Sequence, residues 1–300
     1  MMLSPRPSRR SLVGELTCSD TATDSAGSVP LEVRDGEATH SAGWPMRLAF
    51  VGKGGAGKSS VAGTLARVLA RRGLPVLAVD SDPLPGLAHA VGVAAGDRAI
   101  PEDVVHEVDD PEGGRRFELR DGLCALEAVD RYALSGPDGV RFLQFGKLSG
   151  MTGQLPRSQH GFRQILASLP DEPWHIIGDL PGGTRQPFFG WGFYARLVVV
   201  VVEPTAKSRL SARRLARLRL LAQGPEGVVA VVNKADGDAD VAAVETSTGL
   251  PVIGAIPRDD AVRRAEQRHR ALVDDAPGSA AVIAVESLAD VLLGQARGPG

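Results

Sequence analysis

Cysteine is nearly missing from this chain, which has two in 300 residues, Cys18 and Cys124. They form no metal-ligand spacing and are too few for a disulfide scaffold, so the reading is a protein of a reducing compartment, the cytoplasm. An excess of either charge is missing too. The 34 Lys and Arg stand against 36 Asp and Glu, for a formal net charge of −2, which gives no global drive toward nucleic acid or an anionic membrane. No apolar stretch reaches bilayer-spanning length; the longest, Leu197–Val202, suits a strand buried on both faces. Membrane insertion is therefore not expected. No internal repeat is visible, which sets solenoids aside. What is present, 43% hydrophobic and 23% charged residues, is a globular composition with room for one large α/β domain or two small ones.

Residues 1–45 are rich in Ser, Thr, Pro, Gly and acidic side chains and are expected to form a disordered leader. Ser8-Arg9-Arg10-Ser11 carries the paired arginines of an export signal, but Gly14-Glu15-Leu16-Thr17 stands where an apolar segment is needed. Met46 lies directly before the first strand pattern and is a candidate start of translation. The expected domain runs over 46–300.

That domain is organised around Gly52-Lys53-Gly54-Gly55-Ala56-Gly57-Lys58-Ser59-Ser60. The apolar run Leu48-Ala49-Phe50-Val51 precedes it, and Val61, Leu65, Val68 and Leu69 follow at helical spacing. A strand, a Gly-rich turn and a helix N-terminus make a phosphate-binding site. Glycine lets the backbone approach an anion, and the exposed N–H groups and helix dipole face it. Lys58 would bridge the β- and γ-phosphates, Ser59 would complete a Mg²⁺ shell, and Ser60 would sit near the α-phosphate.

Two further strands end in carboxylates. One, over 75–79, leads into Asp80-Ser81-Asp82-Pro83; the other, over 174–178, leads into Asp179-Leu180-Pro181-Gly182-Gly183. The carboxyl edge of a parallel sheet is where α/β proteins bind ligands. In the second stretch the spacing D-x-x-G supplies a carboxylate for a magnesium water and a flexible Gly182 N–H to sense a γ-phosphate. Strands near 47, 76, 175, 198, 229 and 252, mostly separated by helical patterns, spell a doubly wound, mostly parallel sheet with helices on both faces. Predicted helices cover 59–72, 161–169, 206–221, 259–272 and 279–293. Arg67, Arg71 and Arg72 favour the C-terminus of the first electrostatically. Phe117-Glu118-Leu119 and Leu123-Cys124-Ala125-Leu126 are expected as short meander strands. His160 reads as a surface or capping residue, and Phe188, Phe189, Trp191 and Phe193 as core or dimer packing.

Asn233-Lys234-Ala235-Asp236 follows a strand, and an asparagine amide there can pair with a purine edge because it both donates and accepts. N-K-x-D is also the guanine motif of GTPases, so this stretch alone leaves the base open. The helix over 206–221 carries Lys207, Arg209, Arg213, Arg214, Arg217 and Arg219. Its basic face is either solvated or suited to DNA, an acidic partner or an anionic membrane.

A phosphate loop needs no second lysine in its middle. Lys53 gives the pattern K-G-G-x-G-K-[ST], which resembles the deviant Walker A motif of the MinD/ParA/nitrogenase-iron-protein superfamily. The resemblance covers most of 46–295 and implies a P-loop fold and a Mg²⁺-dependent ATPase, with ATP and Mg²⁺ as cofactors, that forms a homodimer around nucleotide. It implies that Lys53 reaches the other subunit's nucleotide, a cation supplied in trans as an arginine finger is. It also implies that Gly52, Gly54, Gly55, Ala56 and Gly57 cradle phosphate, that Ser59, Asp80 and Asp179 hold Mg²⁺ directly or through water, and that Asp82 orients the attacking water. Asn233, Lys234, Pro257 and Arg258 would line the base. Ala78-Val79-Asp80-Ser81-Asp82-Pro83, Val202-Glu203-Pro204-Thr205 and Gly254-Ala255-Ile256-Pro257-Arg258 are most similar to the nickel-insertion ATPases of carbon monoxide dehydrogenase maturation, the CooC type. Those carry a C-x-C pair in the loop before the Walker B region, where soft thiolates suit nickel or zinc. In the corresponding loop here, Gly153 and Leu155 stand at the cysteine positions. The expected function is a dimeric ATP-hydrolysing switch that assists metalloenzyme maturation or another, unidentified client protein. A ParA-like positioning ATPase that binds DNA is the less favoured alternative.

Overall fold

The computed structural model describes residues 45–82, 86–94, 96, 100–111, 115–146, 157–183, 190–219 and 225–294. The leader up to residue 44, Pro83, the loop with Gly153 and Leu155, Phe188 and Phe189 lie outside the described residues.

In chain order the elements are β1 (Arg47–Gly52), α1 (Lys58–Arg71), β2 (Val76–Asp80), α2 (Leu87–Val91), β3 (Val105–Asp109), β4 (Arg115–Leu119), α3 (Ala125–Tyr132), β5 (Leu134–Ser135), β6 (Arg141–Gln144), α4 (Arg157–Ala167), β7 (His175–Asp179), β8 (Leu197–Val202), α5 (Ala206–Arg219), β9 (Gly227–Ala235), α6 (Asp238–Thr248), β10 (Val252–Pro257), α7 (Asp260–Gln267), α8 (Leu272–Asp275) and α9 (Ala280–Leu292). Among the described residues, eight strands form one sheet in the order β10-β9-β8-β1-β7-β2-β6-β5, and β3 pairs with β4 apart from it. Every neighbour in the large sheet is parallel except β5, which runs antiparallel to β6. From β1 the chain first builds toward β2 and later returns to add β8 on the other side. β1 is therefore the switch point at whose carboxyl end ligands bind in such sheets.

Both faces are covered, which is why β1 and β8 are buried at every position. Strand periodicity divides the side chains between two cores. Leu48, Phe50, Ala78, Ile177 and Val201 face α1 and α9, whereas Ala49, Val51, Leu77, Val79, Ile176 and Val200 face the side of Phe162 and Ile165 from α4. At the exit of β1, Gly52 has φ 150°, and a Cβ there would stand 2.4 Å from the Val201 carbonyl oxygen. Only glycine lets the chain pass so close over β8.

Several local expectations are corrected. Leu123 to Leu126 is no strand, because α3 starts at Ala125 and buries Ala125, Ala128 and Val129 at helical spacing. The single helix expected over 259–272 is two, α7 and α8, interrupted where His269 adopts φ 53°. An unexpected helix, α6, joins β9 to β10 and ends on Gly249 at φ 69°.

The largest correction concerns Arg67. Its charge does not serve the helix end from the surface; the side chain is 1% exposed. Its Nη2 donates to Asp138 Oδ2 at 2.7 Å and Asp274 Oδ1 at 2.8 Å, and its Nη1 to the Val91 carbonyl at 3.0 Å. Arg71 joins the same two carboxylates. Burial alone would raise the Asp138 carboxyl, but the hydrogen bonds from Arg67 and Arg71 outweigh it and hold it below the usual range. The cluster ties α1 to the turn at 137–139 and to α8.

Candidate functional site

The loop after β1 closes on itself, with Ala56 N–H donating to the Lys53 carbonyl at 3.1 Å. Gly55 and Gly57 hold φ 82° and 90°, and Gly57 caps α1 with no side-chain hydrogen bond. The first turn of α1 carries no acid. Its N–H groups, the orphan donors of a helix start, are thus left for an anion. Added Cβ atoms on Gly54 or Gly55 would meet nothing within 4 Å, so that side of the loop is open backbone. Lys58 is buried beneath it. Gly182 approaches from across the mouth, its Cβ position 3.6 Å from Gly54 N and 4.0 Å from Lys58 Nζ.

The acid pair sits beside this loop. Asp80 and Asp179 stand opposite one another in the β2–β7 register, at 0% and 2% exposure. Asp80 accepts from the N–H groups of Asp82 and Leu87, both at 3.0 Å. Asp179 Oδ2 accepts from the Ser59 hydroxyl, while its Oδ1 is buried without a hydrogen-bond partner. Burial, then the charge of Asp179, pushes Asp80 up to about 7. Burial pushes Asp179 up to about 6 against the pull of Ser59 and Lys58. Without a cation, ionising this pair opposes folding, and the opposition grows as pH rises through those values. An orphan carboxylate oxygen beside a serine hydroxyl is a hard oxygen donor set, and it fits Mg²⁺ completed by water and phosphate. Among the described residues, no group of three or more His, Cys, Asp or Glu side chains forms a metal cluster.

The residues expected around the base also brace the loop. Asn233 Nδ2 donates to the Ala56 carbonyl at 2.8 Å, and a Cβ on Gly57 would lie 2.2 Å from that nitrogen. Lys234 adopts φ 59° and donates its Nζ to the Gly55 carbonyl at 2.9 Å and to Glu203. Arg258 N–H donates to the Ala235 carbonyl at 3.1 Å, and its guanidinium stands 3.6 Å from Asp236, which brings 233–236 beside Pro257 and Arg258. Lys53 Nζ lies 3.5 Å from the Gly54 carbonyl of its own loop, and Ser60 Oγ 3.4 Å from Glu266.

Two residues were missed in the sequence. Glu203, at the end of β8, anchors Lys234; the stretch Val202-Glu203-Pro204-Thr205 carries part of the resemblance, but the sequence assigns no role to the carboxylate that closes the buried strand. Tyr194 is buried against β7, where a Cβ on Gly178 would lie 1.6 Å from its hydroxyl oxygen. That hydroxyl has no hydrogen-bond partner, and burial followed by the charges of Asp179 and Asp80 pushes the phenol up. The glycine inside the strand was the clue. His160 is not a cap but stacks on Phe117.

A parallel sheet that delivers a glycine-rich strand–helix turn, a buried lysine and two acids to one edge defines a P-loop nucleotide-binding protein. The chain belongs to the CobQ/CobB/MinD/ParA nucleotide binding domain family, which matches residues 48–273. Over 237 residues it is 28% identical to an uncharacterised ATP-binding protein of Methanocaldococcus jannaschii, with 74% of this chain and 88% of the relative covered. It is 26% identical over 245 residues to the carbon monoxide dehydrogenase accessory protein CooC of Rhodospirillum rubrum, covering 77% and 91% of the two chains. The structure of the septum site-determining protein MinD of Pyrococcus horikoshii, complexed with Mg-ADP, superposes with a TM-score of 0.62 at 18% identity over 83% of this chain and 96% of that one. This last likeness is one of fold.

Proposed function

We propose that the protein is a Mg²⁺-dependent ATPase, a single domain over 46–300, that dimerises around nucleotide and uses its ATP state to act on a client protein in the cytoplasm. The observation that carries this is the Ser59–Asp179–Asp80 donor set beside the open backbone of the phosphate loop. Lys58 and the loop N–H groups bind phosphate, and Ser59, Asp80 and Asp179 hold Mg²⁺ directly or through water. Bound Mg²⁺ supplies charge neutralisation on the phosphates. Asp82, whose backbone N–H is fixed on Asp80, positions the attacking water. Lys53 acts in trans; among the described residues its Nζ has no hydrogen-bond partner beyond the Gly54 carbonyl of its own loop. Asn233, Lys234, Pro257 and Arg258 shape the base side. The ATP-binding relative and CooC, an accessory protein of a metalloenzyme, support ATP as nucleotide and maturation as the setting. Gly153 and Leu155 argue against a thiolate-held cargo metal. Among the described residues, no helix is long and apolar enough to cross a membrane.

Asp82→Ala is expected to keep its affinity for ATP, to lose about 100-fold or more in turnover, and to accumulate as an ATP-bound dimer by light scattering. Adding Lys53→Ala returns that dimer to monomer. Wild-type turnover in the Asp82 variant refutes the assignment.

A second reading rests on α5. Lys207, Arg213, Arg214 and Arg217 are exposed on it, and none has an ion-pair partner among the described residues. A ParA-like protein would use such a face on the DNA backbone. Four phosphate contacts predict an affinity loss of about 100-fold between about 50 and about 200 mM salt. Fluorescence anisotropy with a random duplex, with and without ATP, measures this; binding that is absent or indifferent to ATP excludes it.

A further inference from the structure

On the sheet face opposite α1, β4, α4 and the segment 190–194 line a half-open cleft of about 370 Å³. That is within the range of small-molecule sites, roughly 300–1,000 Å³. Among the described residues, its lining contains two arginines and no carboxylate. Arg163 is half-buried; its Nε donates to the Gly190 carbonyl at 3.0 Å, and its guanidinium lies 5.9 Å from the Trp191 ring centroid. No carboxylate among the described residues pairs with it, and burial alone moves its pKa, downward. A half-buried guanidinium without a counterion is costly, and its planar fork matches a carboxylate. By contrast, Arg116 is already paired with Glu118 at 2.6 Å.

The remaining walls are flat. The Phe117 and His160 rings stack with centroids 4.0 Å apart and planes 25° from parallel. Trp191 is held edge-on against Phe145 at 5.3 Å, so its orientation is fixed by the core. Phe193 is 61% exposed, an unusual position for so large an aromatic side chain. Aromatic faces around one unpaired cation suit a ligand with a flat apolar body and one anionic end. A volume of about 370 Å³ suits a small molecule better than a peptide.

We propose that this cleft binds a small planar carboxylate, with the anion on Arg163 and the flat body against Phe117, Trp191 and Phe193. None of these residues belongs to the nucleotide site, so the site is a second one.

The test is calorimetric titration of the full chain with 2-naphthoate and with its neutral isostere 2-naphthamide. Naphthoate is expected to bind with one-to-one stoichiometry and naphthamide at least about 10-fold more weakly. Arg163→Gln is expected to weaken naphthoate by about 10-fold or more, to leave naphthamide unchanged and to keep ATP affinity. If Arg163→Gln does not fold, Phe193→Ser on the exposed wall decides, with an expected loss of about 5-fold for both ligands. The proposal is overturned by no naphthoate binding, by equal affinity for the neutral isostere, or by wild-type naphthoate affinity in the decisive variant.

Discussion

Lys58→Ala is expected to raise the Kd for Mg-ATP by about 100- to 1,000-fold. Lys58 is buried at the first position of α1, under the open backbone of the loop and within the field of Asp179. Each charge-assisted hydrogen bond it gives a phosphate contributes about 1.5–3 kcal/mol. Two such bonds total about 3–6 kcal/mol, and the lower part of that span, about 3–4 kcal/mol, gives the predicted range at about 1.4 kcal/mol per tenfold. A second effect has the same sign, because Lys58 draws the Asp179 carboxyl down and removing it lets that group hold its proton more tightly. A protonated Asp179 is a poorer partner for Mg²⁺. Titration calorimetry reads the affinity, and Lys53→Ala is the control. With Lys53 Nζ only as near as 3.5 Å to its own loop's Gly54 carbonyl, that variant is expected to bind nucleotide as a monomer within about threefold of wild type. Wild-type affinity in Lys58→Ala removes the phosphate role assigned to it.

Arg67→Met is expected to destabilise the fold by about 3–5 kcal/mol, because it leaves two carboxylates and a carbonyl that were built around a buried guanidinium. Asp138 and Asp274 keep about 30% exposure and retain Arg71, which places the expectation at the lower end. Roughly 3 kcal/mol corresponds to a fall in Tm of about 6–12 °C for a chain of this size. Thermal unfolding without nucleotide measures it. A change in Tm smaller than about 2 °C contradicts the account. The depressed Asp138 carboxyl adds a pH signature: its contribution is present above its unfolded value and is lost as pH falls through the lower folded value. The variant's deficit is therefore expected to narrow in acid. The cluster lies at the far end of the helix that begins at Lys58, so nucleotide affinity in the surviving folded protein is expected to change little.

What could be read from the sequence was local. The glycine spacing, the two strand-ending acids and the unbroken apolar runs at 197–202 and 228–232 are each contained within ten residues or fewer, and the site and sheet follow from them. Leu123 to Leu126 was misjudged because four apolar-rich residues do not separate a period of two from one of 3.6. Arg67 was misjudged because its partners lie 71 and 207 residues away, so nothing nearby marks it as buried. The same holds for Lys234 and Glu203, which are 31 residues apart. Asn233 shows a further limit: residue type indicated a hydrogen-bonding amide, but only the fold shows that one of its donors is used on the Ala56 carbonyl.

The phosphate loop is held by three contacts from two strands: the β8 backbone against Gly52, and from β9 the Asn233 amide on Ala56 and the Lys234 ammonium on Gly55. A cradle already held in its binding shape leaves nucleotide little ordering to impose on arrival. Capture then runs at the pace of encounter, and differences between nucleotides and between states fall on the escape rate. In the switch proposed above, hydrolysis would end the ATP state, and the escape of the product nucleotide would set how long the state after it lasts.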